Sequence, residues 1–61
     1  MLRVAVDAMG GDYAPSEIVK GVISAVKRTD DLKIFLVGSS EAIQKSVDQE
    51  IDSSRIEIIN T

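Results

Sequence analysis

Ile34-Phe35-Leu36-Val37 runs apolar without interruption, between Lys33 and Gly38, and this run constrains the fold more than any other stretch. Four apolar residues with no alternation suit a strand covered on both faces, the setting of a central strand in a parallel sheet. Parallel neighbours need crossover segments, and the sequence supplies one on each side. Leu2-Arg3-Val4-Ala5-Val6, ended by Asp7, reads as a first strand, and Arg55-Ile56-Glu57-Ile58-Ile59 as a third. Pro15 is placed to open a helix, because its fixed φ suits the first helical position. Glu17 in the first turn and Lys27-Arg28 in the last carry the signs that the helix dipole favours. Ile18, Val19, Val22, Ile23 and Val26 recur at helical spacing and predict one apolar stripe. Gly21 lies inside this helix at a cost of about 1 kcal/mol against alanine, which predicts close packing on a strand.

After Gly38, Ser39 or Ser40 is suited to cap a second helix, with Glu41 in its first turn. Ala42, Ile43, Val47 and Ile51 are predicted to face the core, and Gln44, Lys45, Asp48 and Gln49 to face water. The order is βαβαβ, which with short connections implies right-handed crossovers and a parallel sheet. Strands lying in sequence order would put both helices on one face and leave the other bare. The Ile34–Val37 run needs both faces buried. The expected fold is therefore α/β, the βαβαβ portion of a doubly wound parallel sheet. Residues 1–61 are expected to form part of a single larger domain, since a chain this short without staples is marginal alone.

Composition removes several chemistries. Ten acids against seven bases leave a net charge of −3, the opposite of the basic stripe that marks a nucleic-acid binder. No apolar run approaches the roughly 20 residues of a membrane helix, and the first residues lack the pattern of a signal peptide. There is no cysteine and no histidine. A disulfide framework, a thiolate nucleophile, a serine–histidine relay and the usual zinc site are all excluded within these residues.

Ligands of open α/β sheets bind beyond the carboxyl ends of the strands. Two loops qualify, Asp7-Ala8-Met9-Gly10-Gly11-Asp12-Tyr13-Ala14-Pro15 and Gly38-Ser39-Ser40. The first is long for a connection that commonly runs about 2–6 residues. Paired glycines let backbone approach a ligand closely, and a following helix N-terminus favours anions. The loop matches neither the dinucleotide pattern G-x-G-x-x-G nor the phosphate loop of nucleotide-binding proteins. Asp7 and Asp12 also oppose an anion, because a unit charge about 5 Å from a carboxylate is repelled by about 3 kcal/mol at an effective dielectric of 20. The residues alone leave several readings open. The acids orient a basic group from elsewhere, bind a cation or accept a proton, or Gly10-Gly11 makes a tight turn with Asp12 bonding local N–H groups. Ser39 and Ser40 read as caps, Tyr13 as packing, and Met9 as a gap-filler.

Val4-Ala5-Val6-Asp7-Ala8-Met9-Gly10-Gly11-Asp12, followed by Ala14-Pro15, resembles the N-terminal signature of the PlsX family, the phosphate acyltransferases of bacterial phospholipid synthesis. The likeness continues through Ile34-Phe35-Leu36-Val37-Gly38 and Arg55-Ile56-Glu57-Ile58-Ile59, and so covers essentially the whole chain. Tyr13 falls where the family varies, and Asn60-Thr61 departs modestly from the family's usual ending. The resemblance implies transfer of a fatty acyl group from acyl-carrier-protein to inorganic phosphate, giving acyl phosphate. It implies a fold like those of isopropylmalate dehydrogenase and phosphate acetyltransferase, and a cytoplasmic homodimer. Peripheral membrane contact is expected through regions outside these residues. No metal or organic cofactor and no nucleic acid are expected.

Under this resemblance Asp7 and Asp12 are the candidate catalytic residues, fixing the loop and orienting basic phosphate ligands from the rest of the protein. Gly10 and Gly11 are the candidate phosphate-binding residues, through their N–H groups. Phosphate is already a competent nucleophile near neutral pH, so the lack of histidine and cysteine is no obstacle. The competing readings are a dehydrogenase-like relative, disfavoured by the missing dinucleotide pattern, and a non-catalytic α/β binding module. The 61 residues alone are expected to be inactive.

Overall fold

The structure, a computed structural model, describes residues 1–12, 14–47 and 51–61. Strand β1 (Leu2–Asp7) leads through the long loop to helix α1 (Ser16–Arg28). Strand β2 (Leu32–Gly38), helix α2 (Ser40–Ser46) and strand β3 (Ile56–Asn60) follow. The three strands are parallel, in the order β1-β2-β3, with the apolar run of residues 34–37 in the central strand. The fold is α/β with the expected βαβαβ order.

With strands in sequence order and right-handed crossovers, both helices fall on one face of the sheet. The core records this. Val19, Val22, Ile23 and Val26 of α1 and Ile43 of α2 pack in one cluster with Ile34, Leu36 and Ile56 of the sheet. Leu36 and Ile43 are fully buried, each burial being worth about 1.5–3 kcal/mol. Alternation along the strands sends the intervening residues to the opposite face. There Ala5 registers with Phe35 and Phe35 with Glu57, while Val37 registers with Ile59. Phe35 and Val37 are only half-buried. Lys33 spans this face, 3.4 Å from Glu57 and 5.3 Å from the Phe35 ring centre. The central strand is thus covered on one side and open on the other among the described residues.

Three local expectations need correction. Pro15 is the N-cap of α1 and not its first helical residue, and its carbonyl accepts the bond from Val19 N–H at 2.9 Å. Gly21 does not mark close packing: it is exposed, and a Cβ there would meet nothing within 4 Å. Helix α2 stops at Ser46, short of the predicted Val47 and Ile51. Ser46 Oγ donates back to the Ala42 carbonyl at 3.0 Å, and Val47 N–H closes on the Gln44 carbonyl at 3.2 Å. Side-chain bonding to the preceding turn competes with helix continuation, and Val47 turns to extended backbone. Val47 and Ile51 still pack against the core from outside the helix. Asp48 and Gln49, predicted to face water, lie outside the described residues.

At the amino edge of the sheet Arg55 acts as a clamp. Its Nε donates to the Leu32 carbonyl at 3.1 Å and its Nη2 to the Thr29 carbonyl, tying the start of β3 to the entry of β2.

Candidate functional site

The carboxyl ends of the three strands are level, with Asp7 in register with Val37 and Gly38 in register with Asn60. This edge carries both loops singled out from the sequence. The β1–β2 ladder continues one residue past Asp7, where Ala8 N–H donates to the Val37 carbonyl at 2.9 Å and Ala8 is fully buried. Beyond Ala8 the chain turns out of the sheet. Asp7 Oδ1 accepts from Met9 N–H at 2.9 Å, the side chain-to-backbone bond by which aspartate imitates a turn. The sequence had offered this duty to Asp12; among the described residues Asp7 performs it.

Gly10 lies beside the same carboxylate, since a side chain there would first meet Asp7 Oδ2, at 3.7 Å. Gly11 has φ +95° and nothing within 4 Å of its missing Cβ. Its glycine is required by backbone conformation and not by space. Asp12 is exposed on the far side of the pair, and Tyr13 lies outside the described residues. The structure therefore brings Asp7 and Gly10 together at the strand end, with Gly11 as a separate bend and Asp12 beyond it on the path to α1. Because α1 returns antiparallel to β1, its N-terminus lies at this same edge.

The second loop is held from two sides. Ser39 is the cap of α2, its Oγ accepting from Ala42 N–H at 3.3 Å. Ser40 is not a cap: its N–H donates to Asn60 Oδ1 at 2.9 Å, while Thr61 N–H donates to the Gly38 carbonyl at 3.0 Å. Asn60 is thus a structural member of this edge that sequence reasoning missed. Met9, expected to fill a gap, is 45% exposed, and its side chain lies over Gly38.

Neither loop contains a lysine or an arginine. Two hollows among the described residues lie elsewhere: one of about 250 Å³ involves Ile51, Asp52 and Arg55, and the other lies on the surface of α1 at Lys20, Ser24 and Arg28. Among the described residues no three acidic side chains gather as a metal site, and no helix is long and apolar enough to cross a membrane. Among the described residues the edge offers backbone N–H groups and the two carboxylates of Asp7 and Asp12. It can shape one wall of an anion site but cannot supply the balancing positive charge.

Comparison with known proteins gives this edge its context. The family model described as fatty acid synthesis protein matches residues 2–61. The chain is 50% identical over 60 residues to a phosphate acyltransferase of Dictyoglomus thermophilum, covering 97% of this chain and 18% of that protein. It is 45% identical over 60 residues to one of Syntrophomonas wolfei, with 97% and 19% covered, and 40% identical over 60 residues to one of Clostridium tetani, with 97% and 18% covered. The chain thus spans just under a fifth of the length of these curated relatives. It belongs to the fatty acid synthesis protein (PlsX) family.

Proposed function

We propose that the chain is the N-terminal part of a larger α/β phosphate acyltransferase, which transfers a fatty acyl group from acyl-carrier-protein to inorganic phosphate. The product is acyl phosphate, for phospholipid synthesis. The observation that carries this reading is the loop at the carboxyl edge of the sheet, with Gly10 beside the Asp7 carboxylate and Gly11 at positive φ, in a chain 50% identical over 60 residues to a phosphate acyltransferase.

In the reaction a phosphate oxygen attacks the thioester carbonyl carbon, and the carbonyl oxygen takes up negative charge. Collapse of that tetrahedral intermediate breaks the carbon–sulfur bond, and the carrier thiolate leaves and takes a proton from water. Catalysis of such a step rests on positioning and on N–H donors aimed at the developing charge. In this reading the N–H groups of Gly10 and Gly11 are donors for phosphate or for the oxyanion. Asp7 holds the turn through Met9 N–H, and Asp12 orients basic groups contributed by the rest of the protein. Those groups must offset the two carboxylates. The working enzyme is a cytoplasmic homodimer that touches the membrane through regions outside these residues and uses no cofactor.

The test is made on the full-length protein. Acyl-carrier-protein thioester should disappear, and free thiol appear, only when inorganic phosphate is present, with acyl phosphate trapped by hydroxylamine. Thioester loss at an equal rate without phosphate refutes the reading. The isolated 61 residues should show no turnover.

A further inference from the structure

Met9 ties the loop after β1 to the end of β2. Its N–H is held by Asp7 Oδ1, and its side chain lies over Gly38. A Cβ built at Gly38 would stand 2.6 Å from Met9 Cγ and 3.1 Å from Met9 Sδ, with Ile43 Cδ1 at 3.6 Å. The first of these is closer than carbon atoms approach, so the thioether occupies the space that a side chain at position 38 would need. The floor of this space is fixed independently of the loop. The Gly38 carbonyl accepts from Thr61 N–H, Ser40 N–H is held by Asn60 Oδ1, and Ile43 is fully buried. Gly38 therefore belongs to the rigid part of the edge.

The loop above it has few anchors. Ala8 is buried in the sheet, and Met9, Gly10, Gly11 and Asp12 are all exposed. Two successive glycines carry no side chain to hold their own direction. Met9, 45% exposed with its thioether over Gly38, is the last side chain before Gly10 and Gly11. Methionine suits that place because its unbranched, flexible thioether enters narrow, irregular gaps. Valine or isoleucine, branched at Cβ, is stiffer there.

We infer that Met9 and Gly38 form a peg and socket that position the Gly10 and Gly11 N–H groups. Both are positioning residues, acting through the glycines, and the inference rests on the reading of this loop as the phosphate site. Losing the peg lets the donors shift, and a displacement of about 1 Å at a reacting centre costs about 10²-fold in rate.

Four full-length proteins test this: wild type, Met9→Ala, Gly38→Ala and the double variant. Gly38 has φ +156°, so Gly38→Ala alone mixes backbone strain with the collision against Met9; the double variant separates them. Each single variant should lose up to about 10²-fold in kcat/KM for phosphate, with KM for phosphate rising more than KM for the acyl thioester. The double variant should lose no more than the worse single one, because the clash disappears with the thioether. A double loss equal to the product of the single losses overturns the inference, since the two residues would then act independently. Hydrogen exchange at residues 9–12 provides a readout that does not depend on turnover. These amides should exchange faster in Met9→Ala than in wild type, and unchanged exchange also overturns the inference. A protein that turns over no thioester with phosphate defeats the functional reading, while the exchange measurement still decides the peg and socket.

Discussion

Replacing Gly11 tests the proposed site most directly, because the structure separates conformation from space at that position. A Cβ on Gly11 meets nothing within 4 Å, so a side chain there creates no collision. What it meets is φ +95°, where an L-residue is strained by about 1–3 kcal/mol. That is small beside the roughly 5–15 kcal/mol that hold a domain folded. The loop is exposed, so it can also relax to negative φ without disturbing the core. Either response re-aims the N–H groups on both sides of the residue. Gly11→Val should therefore leave the thermal midpoint of the full-length enzyme within a few degrees while turnover falls about 10²–10³-fold, the usual cost of one lost oxyanion donor. Gly11→Asn, a residue that tolerates positive φ far better, should retain much more activity than Gly11→Val. The assay pairs a thermal melt with phosphate-dependent release of free thiol. Wild-type turnover by a folded Gly11→Val enzyme would refute the reasoning.

Two further predictions concern stability. Gly21 sits mid-helix, exposed and with open space around its missing Cβ, so Gly21→Ala should stabilise the protein by about 0.5–1 kcal/mol in a denaturant titration; a loss of stability would mean that another element packs on that face of α1. Asp52 lies in the loop before β3, where Ser54 Oγ and Ser54 N–H both donate to its Oδ1, and these bonds, the hydroxyl's first, hold its carboxyl below the usual 3.8. A lowered folded value stabilises the protein above the unfolded 3.8, and that contribution is lost as pH falls through the lower folded value. Asp52→Asn should therefore flatten the acid limb of the melting curve and leave the phosphate-dependent turnover unchanged; an identical acid limb would show that the bonds contribute nothing.

How far each part could be read in advance depended on whether its cause was local. Helix α1 was legible because its stripe and its end charges lie within one segment, and the structure runs it to Arg28 as predicted. Ile51 misled for the opposite reason. It follows Ile43 and Val47 at helical spacing and does pack on the core, but it arrives there after the chain has left the helix. Periodicity records burial, and Ile51 is partly buried against the core without being part of α2. Gly21 misled because a glycine in a helix has a cost without always having a purpose. At the site, a tight turn at Gly10-Gly11 was one of the readings the residues left open, and which glycine takes the positive φ, Gly11, came only from the structure. The division of labour between Asp7 and Asp12 was not visible, since both flank the glycines. The strand breaks that symmetry by fixing the backbone of Asp7, so that its carboxylate finds the N–H two residues on. Met9 over Gly38 and Asn60 at Ser40 N–H were invisible for a different reason. Each joins segments far apart in sequence, and only the strand register brings them together.

The charge at the carboxyl edge leads to the remaining inference about the whole enzyme. Asp7 keeps its turn through one carboxylate oxygen, and neither loop at this edge offers a cation. Lys45 is engaged with Glu41 at 3.1 Å, Lys33 with Glu57 on the open sheet face, and Arg55 is spent on carbonyls at the opposite edge. Phosphate brought near Asp7 and Asp12 thus faces several kcal/mol of repulsion that these interactions do nothing to offset. In the proposed enzyme the acids then serve best as partners for basic groups arriving from the rest of the domain. The carboxylates would hold those groups in direction, as the peg and socket hold the glycines. Binding of phosphate by the full-length enzyme should accordingly weaken when Asp12 is changed to Asn, although the change removes a negative charge. Isothermal titration with inorganic phosphate reads this directly. Tighter binding by Asp12→Asn would mean that the carboxylate only repels, and would remove it from the site.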